Sequence, residues 1–266
     1  MLSGILPLPA LSMTNDQLPK SNYQLPTWLE VLAVTAVLTL AAVFRMGWPG
    51  LAEFKADEAR LLALAWEMAD GRAFPLRGIS SSVGISNFPT SVWLYAMPLV
   101  VWGHVYAAVL WTGLLNTAAV GLTYWLVRRY WGWQAALVAA FMLAVSPWAI
   151  MHSRKIWAQN LLLPFVLGWG ICAGLALVEQ RQRWLIPMLV CAAVAVQIHL
   201  AAVSILLATA VLLLIFRQRV AWRWVGWGLG TAVVLVIPFL IHVVRQGTRG
   251  LVAFMRSDRA EQCWRF

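Results

Sequence analysis

The stretch WLIPMLVCAAVAVQIHLAAVSILLATAVLLLIF, residues 184–216, contains no Asp, Glu, Lys or Arg. A helix crossing a ~30 Å hydrocarbon core needs ~20 apolar residues, so this run is long for one crossing and tight for two. Its flanks are basic, with Arg181 and Arg183 before it and Arg217, Arg219 and Arg223 after it. Basic loops are retained on the cytoplasmic side. A single crossing would strand one cluster on the far side, whereas a hairpin turning near Gln197-Ile198-His199 keeps both on one face. The stretch therefore predicts a membrane hairpin.

The rest of the chain agrees. Hydrophobic residues make up 62% of the 266 positions and charged residues 11%, too little polar surface to cover a water-soluble globule of this size. Other apolar runs are Trp28 to about Phe44, 104–127, 133–150, 157–178 and 222–243. Residues 89–103 would reach only about 22 Å as a helix. Were they to cross, Arg128-Arg129 and every later basic cluster would invert, so they are read as a helix at the outer face. The expectation is an all-α, polytopic bundle of seven spans in the plasma (inner) membrane. A cytoplasmic tail (1–27) precedes the transmembrane domain (28–243), which includes an outer loop (45–103); an outer-face tail (244–266) follows.

Several function classes drop out. Cys172, Cys191 and Cys263 share no metal-ligand spacing, and the four histidines, at 104, 152, 199 and 242, form no HExxH pair. No protein-built metal site and no cofactor are expected. The net charge of +10 sits mostly in short runs between spans, which argues for loop retention rather than nucleic-acid binding. A transporter or flippase-type membrane protein stays as the alternative reading, although it would place ionisable residues at mid-membrane and the runs above carry essentially none there. Most of the 17 tryptophans lie near span ends, as interface belts do.

Chemistry concentrates in the first outer loop. Of ten acidic residues in the chain, Glu53, Asp57, Glu58, Glu67 and Asp70 lie there. DEARLLALAWEMADG, residues 57–71, carries a helical stripe of Leu61, Leu64, Ala65 and Met68, with Gly71 placed to end the helix. It reads as an amphipathic helix lying on the membrane surface. Asp57 and Glu58 in its first turn have two readings: they complement the helix dipole, or one is a base that accepts the proton of an attacking hydroxyl or amine. Arg154-Lys155 falls on the outer face, against the charge bias. That pair either anchors the interface beside Trp148 and Trp157 or binds a phosphate by guanidinium fork and ammonium point charge.

Three stretches in this order resemble the GT-C glycosyltransferases that use polyprenyl-phosphate sugars. The likeness is closer to their protein O-mannosyltransferase, lipid A aminoarabinose transferase and related RgtA/B/C/D-like branch. The stretches are FKADEARLLALAWEMADG after a first span, SNFPTSVWLYAMPLVVWG, and SPWAIMHSRKIWAQNLLLPF. The resemblance covers roughly residues 28–243. It implies an inverting, metal-independent transfer of a sugar from a polyprenyl-phosphate donor to a lipid, glycan or protein acceptor at the outer face. Asp57 would be the base, Glu58 its neighbour, Arg154 the contact to the lipid phosphate, and Lys155 its assistant. The chain departs from the family pattern at Asn87-Phe88-Pro89, where a His-Pro-Pro-like sequence is common, and at Gln159-Asn160, where an acid often follows the Arg. Family members usually run well past this length, so the resemblance also implies an amino-terminal portion of a longer transferase.

The remaining candidates are weaker. Trp66 and Trp93 are placed to stack a sugar or acceptor, and His152 lies two residues before Arg154. His199, at the hairpin turn, either touches donor phosphate or is a satisfied turn histidine. The loop GISSSVGIS, residues 78–86, lacks a phosphate-loop lysine and reads as a flexible surface loop near the acceptor.

Overall fold

The computed structural model describes residues 27–79 and 87–263, with side chains described up to residue 247. The expected tail at 1–26, loop positions 80–86 and the side chains of the outer-face tail from 248 onward lie outside the described residues. All regular structure among the described residues is helical. A backbone in hydrocarbon must satisfy its own polar groups, which a helix does within one segment.

Helix α1 is Thr27–Met46 and α2 is Ala56–Ala69. Then come α3 (Thr90–Val101), α4 (Val105–Trp131), α5 (Trp133–Val145) and α6 (Pro147–Ser153). They are followed by α7 (Leu162–Ala173), α8 (Leu185–Ile198), α9 (Val203–Ile215) and α10 (Trp222–Cys263).

Four segments are long and apolar enough to cross a membrane: Thr27–Met46, Val105–Trp131, Ala158–Val178 and Trp222–Gly247. A fifth is the pair α5 and α6, bent by 60°. Pro147 causes the bend: it opens α6 comfortably at a first-turn position but cannot continue α5. The chain breaks at His199, where the hairpin turn was expected, and the two arms come out shorter than single full spans. The α9 end returns toward the α8 start: Leu212, Leu213 and Phe216 pack against the cluster holding Leu185 and Met188. The twelve-residue α3 is also too short for a span.

Helices approach closely where side chains are small. A β-carbon at Gly113 of α4 would stand 2.8 Å from the Arg45 carbonyl oxygen of α1, and one at Gly228 of α10 would stand 2.6 Å from Leu189 of α8. Ala41, Val120, Ala140 and Ala144 make a small-residue core among α1, α4 and α5.

The amphipathic helix forms over the expected residues, and Gly71 follows it with φ +69°. Its stripe meets protein as well as any membrane surface. Leu61, Leu62 and Ala65 are buried with Val92, Tyr95 and Leu99 of α3, while Leu64 and Met68 are half-buried. The periodicity gave the apolar face but not its partner.

Ion pairs fix which helix ends lie together. Arg128 at the end of α4 bonds Glu30 at the start of α1, at 2.6 Å, and Arg129 bonds Glu179 after α7, at 2.5 and 2.6 Å. The Gln182 side chain accepts from the Ala221 amide at 2.9 Å. Arg154 and Lys155 instead meet the chain just beyond the other end of α1. Glu30 and Gly47 are seventeen residues apart, so the two sets of charges are separated by about 25 Å along the helix.

Candidate functional site

The site end begins with a helix terminus. Ending α5 at Pro147 frees carbonyls that its own helix cannot satisfy. Arg45, only 1% exposed, donates Nη1 to the Ala144 oxygen at 2.8 Å and Nη2 to the Leu143 oxygen at 2.7 Å. This ties α1 to the α5–α6 bend. Beside the tie opens a cavity of about 940 Å³ between α1, the turn at Pro49–Leu51 and α6. Leu40, Phe44, Val145 and Ile150 line its apolar part; Glu53, His152, Arg154 and Lys155 line its polar part.

Arg154 closes α6 and reaches across to the left-handed turn at Trp48 (φ 53°). Its Nη2 donates to the carbonyls of Gly47 at 2.9 Å and Trp48 at 2.7 Å. Both bonds use one nitrogen, so Nη1 and Nε keep their hydrogens for a ligand. Lys155 Nζ donates to Glu53 at 2.7 Å, lies 3.2 Å from Glu58 and sits 5.6 Å from the Trp157 ring. The hydrogen bond from Lys155, joined by one from Lys55, pulls the exposed Glu53 carboxyl down to about 2, and the same bond to Glu53 raises Lys155. His152 Nδ1 meets the Trp148 carbonyl at 3.0 Å, which turns Nε2 away from that bond.

The two first-turn carboxylates part company. Glu58 is 1% exposed and accepts from the Lys55 amide at 3.0 Å, a helix-start contact, while its other oxygen faces Lys155. Asp57 is half-exposed and paired only loosely with Arg60, at 3.4 Å. Asp57 is thus the carboxylate with free lone pairs; Glu58 is committed to holding Lys155.

The other selected residues scatter. Gln159 and His199 meet at 2.9 Å, and His199 Nδ1 also accepts from the Ala201 amide, so this histidine is satisfied at its turn. Asn160 is buried and bridges inward, donating to the Lys155 carbonyl while its own carbonyl accepts from Asn116. Trp93 donates to the Pro75 carbonyl at 2.9 Å and stacks on Phe74, whereas Trp66 is half-buried against the α2–α3 core. Asn87 pairs through its backbone with Gly78 and Ile79, closing the base of the glycine–serine loop. Of the eleven residues selected from sequence, Arg154, Lys155 and His152 line the cavity.

Three residues were not singled out. Glu53 lies 102 positions from Lys155, a distance no motif spans. Tyr95 is fully buried; its hydroxyl accepts from the Trp157 amide at 3.1 Å and meets Thr112 at 3.1 Å, fixing the segment just after Lys155. Burial, with the nearby Glu58 charge adding to it, pushes this phenol well above its ordinary range. Arg45 reads in the sequence as a flank of the first span. Among the described residues no group of three His, Cys, Asp or Glu is placed to hold a metal ion. No protein-family model, curated protein or solved structure matches the chain.

Proposed function

We propose that this chain is a membrane glycosyltransferase of GT-C type that takes a sugar from a polyprenyl phosphate. One observation carries the reading: the cavity of about 940 Å³ joins an apolar wall on α1 and α6 to the cations Arg154 and Lys155. An isoprenoid chain suits the first and a phosphate the second. Arg154 offers Nη1 and Nε to two phosphate oxygens, and Lys155 supplies a compact charge. The acceptor oxygen or nitrogen attacks the anomeric carbon from the face opposite the phosphate. The carbon–oxygen bond to phosphate breaks, and its electron pair leaves with the polyprenyl phosphate, whose developing charge the cations stabilise. Asp57 takes the acceptor proton.

The membrane arrangement that goes with this reading has seven crossings: the four long segments, the bent α5–α6 pair and the two hairpin arms. It puts the carboxylate loop on the outer face of the plasma membrane. Its support is the gathering of Arg128, Arg129, Arg181 and Arg223 at the end remote from Arg154. The acceptor is a lipid, glycan or protein.

The test uses purified chain in liposomes loaded with labelled polyprenyl-phosphate sugars and mixed acceptors. The expected result is sugar transfer that Arg154→Ala reduces about tenfold or more, with Arg154→Lys in between, since a charged hydrogen bond contributes roughly 1.5–3 kcal/mol. Wild-type affinity for polyprenyl phosphate in Arg154→Ala would reduce the pair to interface anchors.

A further inference from the structure

The far end of the bundle holds a second cavity, of about 430 Å³, bounded by the turn between α7 and α8 and the start of α10. Arg181, Arg183 and Arg223 line it with Trp184 and Trp224. The Arg183 and Arg223 guanidinium carbons lie 5.9 and 5.1 Å from the Trp224 ring centre. Neither arginine has a carboxylate partner among the described residues. The nearest acid in the turn, Glu179, is already held by Arg129 at 2.5 and 2.6 Å and shared with Arg181 at 3.2 Å. That leaves two guanidiniums against one indole with no negative charge to offset them.

The cavity walls are ordered by hydrogen bonds that do not use those guanidiniums. Gln182 ties the two sides together: its oxygen accepts from the Ala221 amide and its nitrogen donates to the Ala176 carbonyl at 3.3 Å. Gln180 takes a left-handed backbone (φ 58°) and donates to the Leu177 carbonyl. The arginines therefore project from a closed turn whose own polar groups are engaged.

We infer that this cavity binds the phosphate of an anionic phospholipid headgroup. The ligand must be an anion, because the lining has an uncompensated positive charge. A phosphate matches the forked donors, since each guanidinium presents two parallel N–H groups to two oxygens. The lipid source follows from position. The cavity sits where Ala158–Val178 ends and Trp222–Gly247 begins, at the depth of headgroups, and basic pockets between spans on one membrane face take anionic headgroups. Trp184 and Trp224 add the amphipathic rings that favour that depth. This inference does not depend on the transferase reading, since the cavity lies at the opposite end from Arg154.

The experiment is native mass spectrometry of the whole chain released from neutral detergent, titrated with phosphatidylglycerol, phosphatidylcholine or soluble glycerol phosphate. Wild type should retain phosphatidylglycerol at concentrations where phosphatidylcholine is lost. Arg183→Gln/Arg223→Gln should weaken that binding about tenfold or more. Arg217→Gln/Arg219→Gln, an equal charge change at exposed positions on the same end, should stay within about twofold. Equal loss in both double variants, or loss in neither, would overturn the site. Glycerol phosphate binding as tightly as phosphatidylglycerol would overturn the lipid source. If the first double variant does not fold, Arg223→Gln alone, checked for helicity and monodispersity, must show the loss; unchanged binding there overturns the proposal equally.

Discussion

Lys155 Nζ stands 3.2 Å from Oε1 of Glu58, a carboxylate that is 1% exposed at the start of α2. The contact joins the α6–α7 connection to the acidic loop across nearly one hundred residues of sequence. A buried carboxylate is tolerable only with such a partner. Removing the lysine strands the acid, while removing both charges does not.

Lys155→Met should therefore lower the stability of the folded chain by about 1–3 kcal/mol, less than a fully buried pair because the lysine is 28% exposed. The double variant Lys155→Met/Glu58→Gln should recover part of the loss. Thermal unfolding in detergent of the two single variants and the double gives the coupling. Strict additivity would mean that the two side chains do not interact.

Asp57→Asn separates the base from the helix-start residue. As base, Asp57 loses about 10²–10⁴ in transfer rate on substitution. As a dipole partner it would cost at most roughly 1 kcal/mol of stability and leave transfer intact. The expected outcome is lost transfer with unchanged melting. Near-normal transfer by Asp57→Asn and Glu58→Gln alike would remove this loop from the chemistry.

The Glu53–Lys155 pair sets a pH window. Glu53 falls from the ordinary 4.5 to about 2, so its contribution is complete above 4.5 and is lost as pH drops toward 2. Lys155 rises above the ordinary 10.5, so its contribution is present below that value and is lost as pH climbs past the raised one. Between about pH 5 and 10 the pair should be insensitive to pH. Infrared titration, taken as wild type minus Glu53→Gln, should find the carboxylate ionised down to near pH 2. In Lys155→Met it should protonate at higher pH, held only by Lys55. Wild-type protonation near 4.5 would show that the pair does not form in solution.

Sidedness is tested by single cysteines in a background lacking Cys172, Cys191 and Cys263. Impermeant reagent added outside intact cells should label Arg72→Cys and Gly247→Cys. It should miss Arg129→Cys, Gln182→Cys and Gln218→Cys. Outside labelling at 129 would make α3 a crossing helix and invert everything after it.

Run lengths and helix signals carried much of this in the sequence. Trp28–Phe44 became α1, the hairpin broke at His199, and Gly71 ended α2, because each depends on local composition or a local backbone requirement. What local signals do not hold is which face meets which. An apolar stripe satisfies a membrane surface and a neighbouring helix equally well, so α2 on α3 was not readable. Glu53 with Lys155, and Tyr95 under Trp157, are meetings of distant segments. The hairpin arms came out shorter than single full spans, because the break at His199 and the turns at either end take residues that run length alone assigns to helix.

Arg45, fastened to the Leu143 and Ala144 carbonyls, is adjacent in sequence to Phe44, and those two residues are followed directly by Val145 and Ser146. The fastening therefore sits at the foot of the cleft between α1 and α6. Arg154 ties the other end of α6 to the Gly47 and Trp48 carbonyls, so this short helix is stapled to the α1 side at both of its ends.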